Sequence, residues 1–482
     1  MGTSPARGLR GRGAGLPVID LLSKARWSAI AAWHGRHERT LPWWPAERLA
    51  ALQDRRARAI VAHAYATVPY YRDAMHSRGL RPADFRTAAD LAKLPLVGGA
   101  ELAAAPERFL SSEFVGEDTL LLDTTGTTGH YKQIRHDPNA VVAALAAGGR
   151  RRAVTASAPG PRRRGRPLVI VPPKGTNAAV RDYHRAHLLA ALTSRFEPDF
   201  LSFDRPFAEL VAEINRLEPD TIVTFGRFAG YLYRRAMDAG IAIHAPRLIW
   251  YGGDTMAGAD RRLIEERLGV PVYSSYQSCE FLRIAFQCER RKGFHVFIDH
   301  VALRVVDDAG RDAAPGTPGE VVISNLVNRA TVLLNYRLGD RVALASEPCA
   351  CGRTLPVLSA LDGRSEDLLL RADGERVHES LVLRRLYGVP GLSNVEVVQH
   401  APDRLEANVV VARGADAART VAELRGALGE LLGHPAGLDV GVSVVDEIRA
   451  GPGGKFRAVT CRVPPTGAHR ASSAPDGGDV TR

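Results

Sequence analysis

Apolar positions along the chain fall into blocks with helical and strand periodicity. From about Pro45 to Phe109 they recur at helical spacing, with Leu49, Leu52, Ile60, Val61 and Ala64 on one face. Val68-Pro69-Tyr70-Tyr71 breaks that pattern, because proline lacks the backbone donor and biases the preceding residue away from the helix. The spacing predicts a helix over Ala140 to Ala147, closed by Gly148-Gly149. Beyond a basic linker or surface loop, Pro159 to Pro167, short apolar runs at Leu168–Val171, Thr221–Phe225 and Leu248–Tyr251 read as buried strands. Ala178–Ser194 and Phe207–Leu217 read as the helices between them. This alternation predicts an α/β domain with a largely parallel sheet. From Phe294 to Val342 the pattern changes to strands separated by Gly, Pro and Asp turns.

A boundary is expected near Gly363. Past it, strands (Val395–Val398, Glu406–Val411, Val442–Val445) alternate with helices (Glu379–Leu386, Ala418–Leu431), as in a small α+β lid. The expected fold class is thus α/β, a large N-terminal domain with parallel sheets and a β-rich subdomain, plus a small mobile α+β C-terminal domain. The expected divisions are a disordered and helical extension (1–44), the large domain (45–362), the lid (363–463) and a disordered tail (464–482). Leu16 to Trp33 reads as a helix packed on its own domain.

Composition narrows the class. A chain of 482 residues exceeds one ordinary core, and 45% hydrophobic with 24% charged residues describes a soluble globular protein. The net charge is +11, with much of the excess in Arg7–Arg12 and Arg150–Arg166. Both stretches read as mobile surface segments, so no nucleic-acid partner is expected. No apolar run approaches the ~18 residues of a membrane span, and no signal core follows the basic N-terminus. A cytoplasmic protein without integral membrane association is expected, and a homodimer is compatible with the sequence.

The chemistry is concentrated in a few short segments. Asp123-Thr-Thr-Gly-Thr-Thr-Gly-His-Tyr-Lys132 follows the apolar Leu120–Leu122 and puts hydroxyls and flexible backbone in one turn. Glycines let such a turn wrap a phosphate, whose oxygens accept from N–H groups and hydroxyls. Alone it is equally a hairpin turn. Its companions are Tyr251-Gly252-Gly253-Asp254, Tyr276-Gln277-Ser278-Cys279-Glu280, Tyr336-Arg337-Leu338-Gly339-Asp340, Gly363-Arg364-Ser365-Glu366-Asp367 and Gly453-Gly454-Lys455. Glu280 is a candidate Mg²⁺ ligand, since that ion prefers oxygens and substrate phosphates.

In order and spacing these motifs resemble the acyl-adenylate-forming (AMP-binding) superfamily. Within it they are similar to the phenylacetate–CoA ligase and capsule-biosynthesis adenylate-forming branch, over roughly residues 45 to 460. The resemblance implies ATP phosphates on Thr124, Thr125, Gly126, Thr127, Thr128 and Gly129, with Lys132 beside them. It implies adenine at Gly252 and Gly253, Tyr276 and Arg364 also among the ATP-binding residues, ribose on Asp340, Mg²⁺ on Glu280, and Arg364 with Glu366 at the hinge of the lid. Lys455 becomes the lysine that reaches the α-phosphate, so Lys455, Glu280 and Thr128 are the implied catalytic set. The implied activity is ATP-dependent conversion of an aryl or aryl-acetic acid to an acyl-adenylate, then transfer to a thiol, foremost coenzyme A. Alternatives are transfer of AMP or acyl to a hydroxyl or amine in polysaccharide or cofactor assembly, and a non-catalytic nucleotide-binding relative.

Two positions depart from the family pattern: Gln277 stands where glycine is usual, and Cys279 where serine or threonine is usual. Tyr183, Phe225, Phe228 and Tyr251 are candidate pocket aromatics, with core packing as the equal alternative. Cys288 and His295 stand seven apart, and Cys349-Ala-Cys351 begins 54 residues beyond His295. Three thiolates and an imidazole match a closed structural zinc site, against the alternative of buried free cysteines. Cys461 has no expected partner.

Overall fold

In the computed structural model the described residues are 21–125, 131–158, 160, 167–189, 198–364, 368–434, 437–448 and 458–463. They form two compact units, divided between Arg364 and Leu368.

The first unit opens with helices Leu21–Gly35, Ala46–Thr67 and Pro69–His76. Pro69 begins the third helix and does not end the region's helicity, since at the first turn its missing N–H is no loss. A hairpin of β1 (Leu120–Thr125) and β2 (Tyr131–His136) follows. Then come β3 (Leu168–Val171), β4 (Asp199–Ser202), β5 (Thr221–Thr224), β6 (Leu248–Gly252) and β7 (Val272–Tyr276). These five pair in parallel, in the order β4-β3-β5-β6-β7. Their near-continuous apolar runs suit a sheet covered on both faces.

The β-rich run does not make a sheet of its own. Strands β8 (Ala285–Phe286), β9 (Phe294–Val296), β10 (Val301–Val306), β11 (Gly319–Asn325), β12 (Tyr336–Leu344) and β13 (Val357–Arg364) extend the same sheet, now antiparallel. The direction changes where Ser275 and Tyr276 of β7 pair with Phe286 and Ala285 of β8. The full order across eleven strands is β10-β11-β12-β13-β9-β8-β7-β6-β5-β3-β4.

Two expectations on this unit are corrected. The helix foreseen over Ala140–Ala147 runs from Pro138 to Ser157, straight through Gly148-Gly149. Its start is fixed by Asp137, whose side chain accepts from the Ala140 N–H. The glycines persist because neighbours crowd them: a Cβ on Gly149 would lie 3.3 Å from the Glu38 side chain. Nor is Arg150 part of a mobile surface segment. It is 2% exposed, and its guanidinium donates to both Asp299 oxygens (2.9 and 2.7 Å) and to Glu38 (2.7 Å). Arg56 also donates to the Asp299 carbonyl. Burial alone would raise the Asp299 carboxyl, but Arg150, with His300 and Arg56, holds it well below the usual carboxylate range. The helix foreseen from Ala178 is described from Thr176 to His187.

The second unit has a two-stranded piece, β14 (Leu368–Leu370) with β15 (Arg376–His378). Beside it is a four-stranded sheet ordered β18 (Asp439–Val444), β17 (Arg404–Val411), β16 (Leu392–Ala401) and β19 (Val459–Cys461). Helices Glu379–Leu386 and Ala417–Leu432 complete it. The longer is capped by Asp416 at its start and by left-handed Gly433 at its end. Leu369, Val382, Val397, Val409 and Leu424 form its own apolar core. Among the described residues no helix is long and apolar enough to cross a membrane.

Removing the Arg150 guanidinium would strand two buried carboxylates. Arg150→Met is expected to lower unfolding stability by about 3–5 kcal/mol, measured by urea denaturation.

Candidate active site

Four motifs converge on the junction of β7, β12 and the β1–β2 hairpin. Lys132, on β2, donates from Nζ to Glu280 Oε1 at 2.9 Å and to the Tyr336 hydroxyl at 3.2 Å. Glu280 is 6% exposed and Tyr336 1%. Burial works against the Lys132 ammonium, but the Glu280 carboxylate and the Tyr336 phenol outweigh it and hold its pKa above the ordinary lysine value. The carboxylate singled out for Mg²⁺ is therefore held by a cation from the loop's outgoing strand. Thr124 and Thr125 pair through their backbones with Lys132 and Tyr131, whereas Gly126, Thr127, Thr128 and Gly129 lie outside the described residues.

Asp340 is placed the same way. It is 8% exposed, accepts from the Tyr276 hydroxyl at 2.5 Å, and pairs through its backbone with Arg364. Tyr276 thus joins the end of β7 to β12. At the end of β6, Gly253 takes a left-handed conformation (φ 86°), and a Cβ there would lie 3.0 Å from the Phe225 ring. Only glycine fits that combination. Glu366 and Lys455 lie outside the described residues.

Three residues near this junction carried no signal in the sequence. His136 donates from Nε2 to the Cys279 carbonyl at 2.7 Å, and burial lowers its imidazole to about 4, so it is neutral. Thr176 places Oγ1 3.2 Å from the Cys279 sulfur. Cys279 therefore has a hydroxyl partner although it lacks a hydroxyl itself. Arg283 donates to the Gln277 amide oxygen. A small cleft bordered by His136, Glu280, Phe281, Leu282, Asn325 and Asn328 adjoins this group. Of the candidate pocket aromatics, Phe225 and Phe228 belong to the core of the parallel half and Tyr251 packs on it. Tyr183 stacks on His187 with centroids 3.6 Å apart.

The second constellation is Cys288, His295, Cys349 and Cys351, whose ligand atoms all lie within 4.8 Å of one another. Cys288 Sγ is 3.7 Å from Cys349 Sγ, and Cys351 Sγ is 3.3 Å from His295 Nε2. Tetrahedral bonds of about 2.3 Å set ligands about 3.8 Å apart, so these spacings fit one ion. Burial, with the Arg353 cation second, lowers His295 to about 4 and leaves its imidazole neutral. Gly352 (φ 81°) turns the Cys-x-Cys segment, its N–H donating to the Cys349 carbonyl. Arg353 is clamped by Glu289 (2.6 and 2.8 Å) and lies 4.6 Å from the Trp43 ring centroid. Cys461 stands apart in the second unit, donating to Gln399 at 3.3 Å.

No family model matches the chain. A phenylacetate–coenzyme A ligase of Thermus thermophilus is 27% identical over 386 residues, covering 74% of this chain and 78% of the relative. One from Escherichia coli is 25% identical over 350 residues, covering 67% and 73%. The solved structure of a 2-hydroxyisobutyryl-CoA ligase, in the postadenylation state with an acyl-AMP, superposes with a TM-score of 0.69. It is 19% identical, and the match covers 86% of this chain and 90% of that one. The chain thus shares the fold of that acyl-AMP-bound ligase. In sequence it is similar to phenylacetate–coenzyme A ligases, over 67–74% of its length.

Tyr276→Phe removes a side-chain donor to Asp340. It is expected to cost about 1.5–3 kcal/mol of stability, as for a hydrogen bond to a charged group, in denaturant titrations of both proteins.

Proposed function

We propose that the protein is an AMP-forming acid–thiol ligase, which converts a carboxylic acid and ATP to an acyl-adenylate and pyrophosphate and passes the acyl group to coenzyme A. The observation that carries this reading is the meeting of Lys132, Glu280, Tyr276 and Asp340 at one sheet junction, on the fold of an acyl-AMP-bound ligase. The names of the relatives and solved neighbours, ligases that use coenzyme A, support the same acceptor.

The roles follow from the chemistry of each group. Thr124 to Gly129 hold the β- and γ-phosphates, with Lys132 neutralising charge at the end of the loop. Gly252, Gly253 and Tyr276 take the adenine, and Asp340, oriented by the Tyr276 hydroxyl, accepts from the ribose hydroxyls. Glu280 fits Mg²⁺, because a single buried carboxylate leaves that ion's other positions to phosphate and water. When bound, the ion neutralises phosphate charge. The substrate carboxylate attacks the α-phosphorus in line and pyrophosphate leaves. Charge on the equatorial oxygens grows in that step, and Lys455 supplies the compensating cation. Arg364 and Glu366 mark the hinge of the C-terminal domain. Cys279, with Thr176 beside its sulfur, contributes only a weak thiol donor where the family pattern has a hydroxyl.

Cys288, His295, Cys349 and Cys351 hold a structural zinc ion. The support is the donor set, three thiols and a neutral imidazole, at tetrahedral spacing. Arg353 and Glu289 brace the site from outside, as outer partners do around metal ligands.

Pyrophosphate exchange into ATP with a panel of carboxylic acids, run with and without coenzyme A, is the direct test. At least one acid should support exchange, and thioester should form only with coenzyme A present. A folded, zinc-loaded protein that exchanges with none would sink the ligase reading. Lys455→Ala should abolish exchange while ATP binding, read by calorimetry, stays within about threefold. Metal analysis should return about one zinc per chain, and chelation should lower the melting temperature. A value far below that would leave four free side chains.

A further inference from the structure

Buried polar atoms are nearly always paired, and one left unpaired beside an opening calls for a ligand atom or a water. His136 ends β2 and is 1% exposed. Its Nε2 lies 2.7 Å from the Cys279 carbonyl, which can only accept, so the ring proton is on Nε2. Burial keeps the imidazole neutral, and a neutral ring carries one proton. Nδ1 is therefore a bare lone pair. It is buried and has no hydrogen-bond partner among the described residues.

The cleft that His136 borders offers few other places for a polar atom. Asn325 accepts from the Val327 and Asn328 N–H groups and donates to the Asn328 carbonyl. Asn328 donates to the Arg135 and Thr331 carbonyls and accepts from the Asp137 and Ala330 N–H groups. Both amides are thus spent on backbone. Much of the remaining wall is apolar, with Phe281, Leu282, Val301 and Val327. Ala140 and Ala144, one turn apart on the Pro138–Ser157 helix, border the same space and keep it open with their small side chains. Glu280 closes one end, held by Lys132. An apolar wall with a single placed acceptor is the make-up of a site that selects a substituent. A lone pair and a carboxylate together repel an anion, so the group that fits is a hydrogen-bond donor.

We propose that this cleft receives a hydroxyl or amino substituent of the acid activated here, and that His136 Nδ1 accepts its hydrogen bond. His136 is then a specificity-determining residue. The inference rests on the adenylation reading above and narrows its substrate to carboxylic acids that carry a donor.

The test compares pairs of acids that differ only in a hydroxyl or amino group, on short aliphatic and aryl-acetic skeletons. Pyrophosphate exchange with the full-length protein is the readout. On at least one skeleton the substituted member should have the higher kcat/KM, by about tenfold. His136→Phe keeps a ring but removes the lone pair, and should bring that ratio to within about twofold of one. It also removes the donor to the Cys279 carbonyl, so the ratio and not the rate is read. Ala144→Val leaves His136 in place and fills the cleft. It should lower the ratio likewise, which guards against a folding defect in the first variant. A ratio near one for every pair in the unaltered protein would leave the lone pair to a bound water and overturn the proposal. A preference that both variants keep would also overturn it. The nitrogen NMR resonance of His136 Nδ1 reads the contact without turnover: a substituted acid should move it upfield, and its unsubstituted partner should not. If no acid supports exchange, the ligase reading fails, and the presence or absence of that shift still decides whether the cleft takes a donor.

Discussion

The pairing of β7 with β8 is the constraint on which the rest of the first unit depends. Through Ser275 and Tyr276 a parallel sheet continues as an antiparallel one, so the two halves share a hydrogen-bond ladder and do not merely pack together. Everything assigned a chemical role there hangs from that junction. Tyr276 ends β7 and reaches Asp340 on β12, while Glu280, four residues on, meets Lys132. In the antiparallel half, His295 on β9 pairs with Phe286 of β8 and Val357 of β13. That lattice brings a histidine and three cysteines together from segments far apart in the chain. One register slip would send each of these side chains to the opposite face.

Buried charge is handled in two ways in this protein. Arg150 is surrounded by carboxylates and sits in a closed arrangement that ties the N-terminal segment, the Pro138–Ser157 helix and the turn before β10. Such a group contributes specificity of packing more than net stability, because desolvation offsets most of the attraction. Lys132 and Glu280 are paired beside a cleft that Glu280 borders.

The Pro138–Ser157 helix organises several of these contacts. Asp137 caps it, Arg150 locks its middle, and Arg151 and Arg152 turn other faces toward Trp250 and Arg283. Gly148 and Gly149 permit this because they let long side chains cross close to the helix axis.

Periodicity alone determined three of the five parallel strands (β3, β5 and β6) and the small α+β unit, since these depend on short-range alternation of apolar residues. The motif order was equally legible: Lys132, Glu280 and Asp340 are polar residues in turns whose spacing carries chemistry. The cysteine and histidine spacing likewise pointed to one cluster. Tertiary structure decided what periodicity could not contain. Gly148-Gly149 looked like a stop, yet the helix continues, because Arg150 gains two buried carboxylates and the glycines gain close neighbours. Arg150 itself read as surface because its partners, Glu38 and Asp299, lie 112 and 149 residues away. His136, Thr176 and Arg283 are ordinary residues in sequence, and they acquire meaning only where the sheet brings them to Cys279 and Gln277. The Thr/Gly loop was a turn by sequence, and what distinguishes it in the fold is the lysine at its exit, held against Glu280 by a junction of strands that no local pattern specifies.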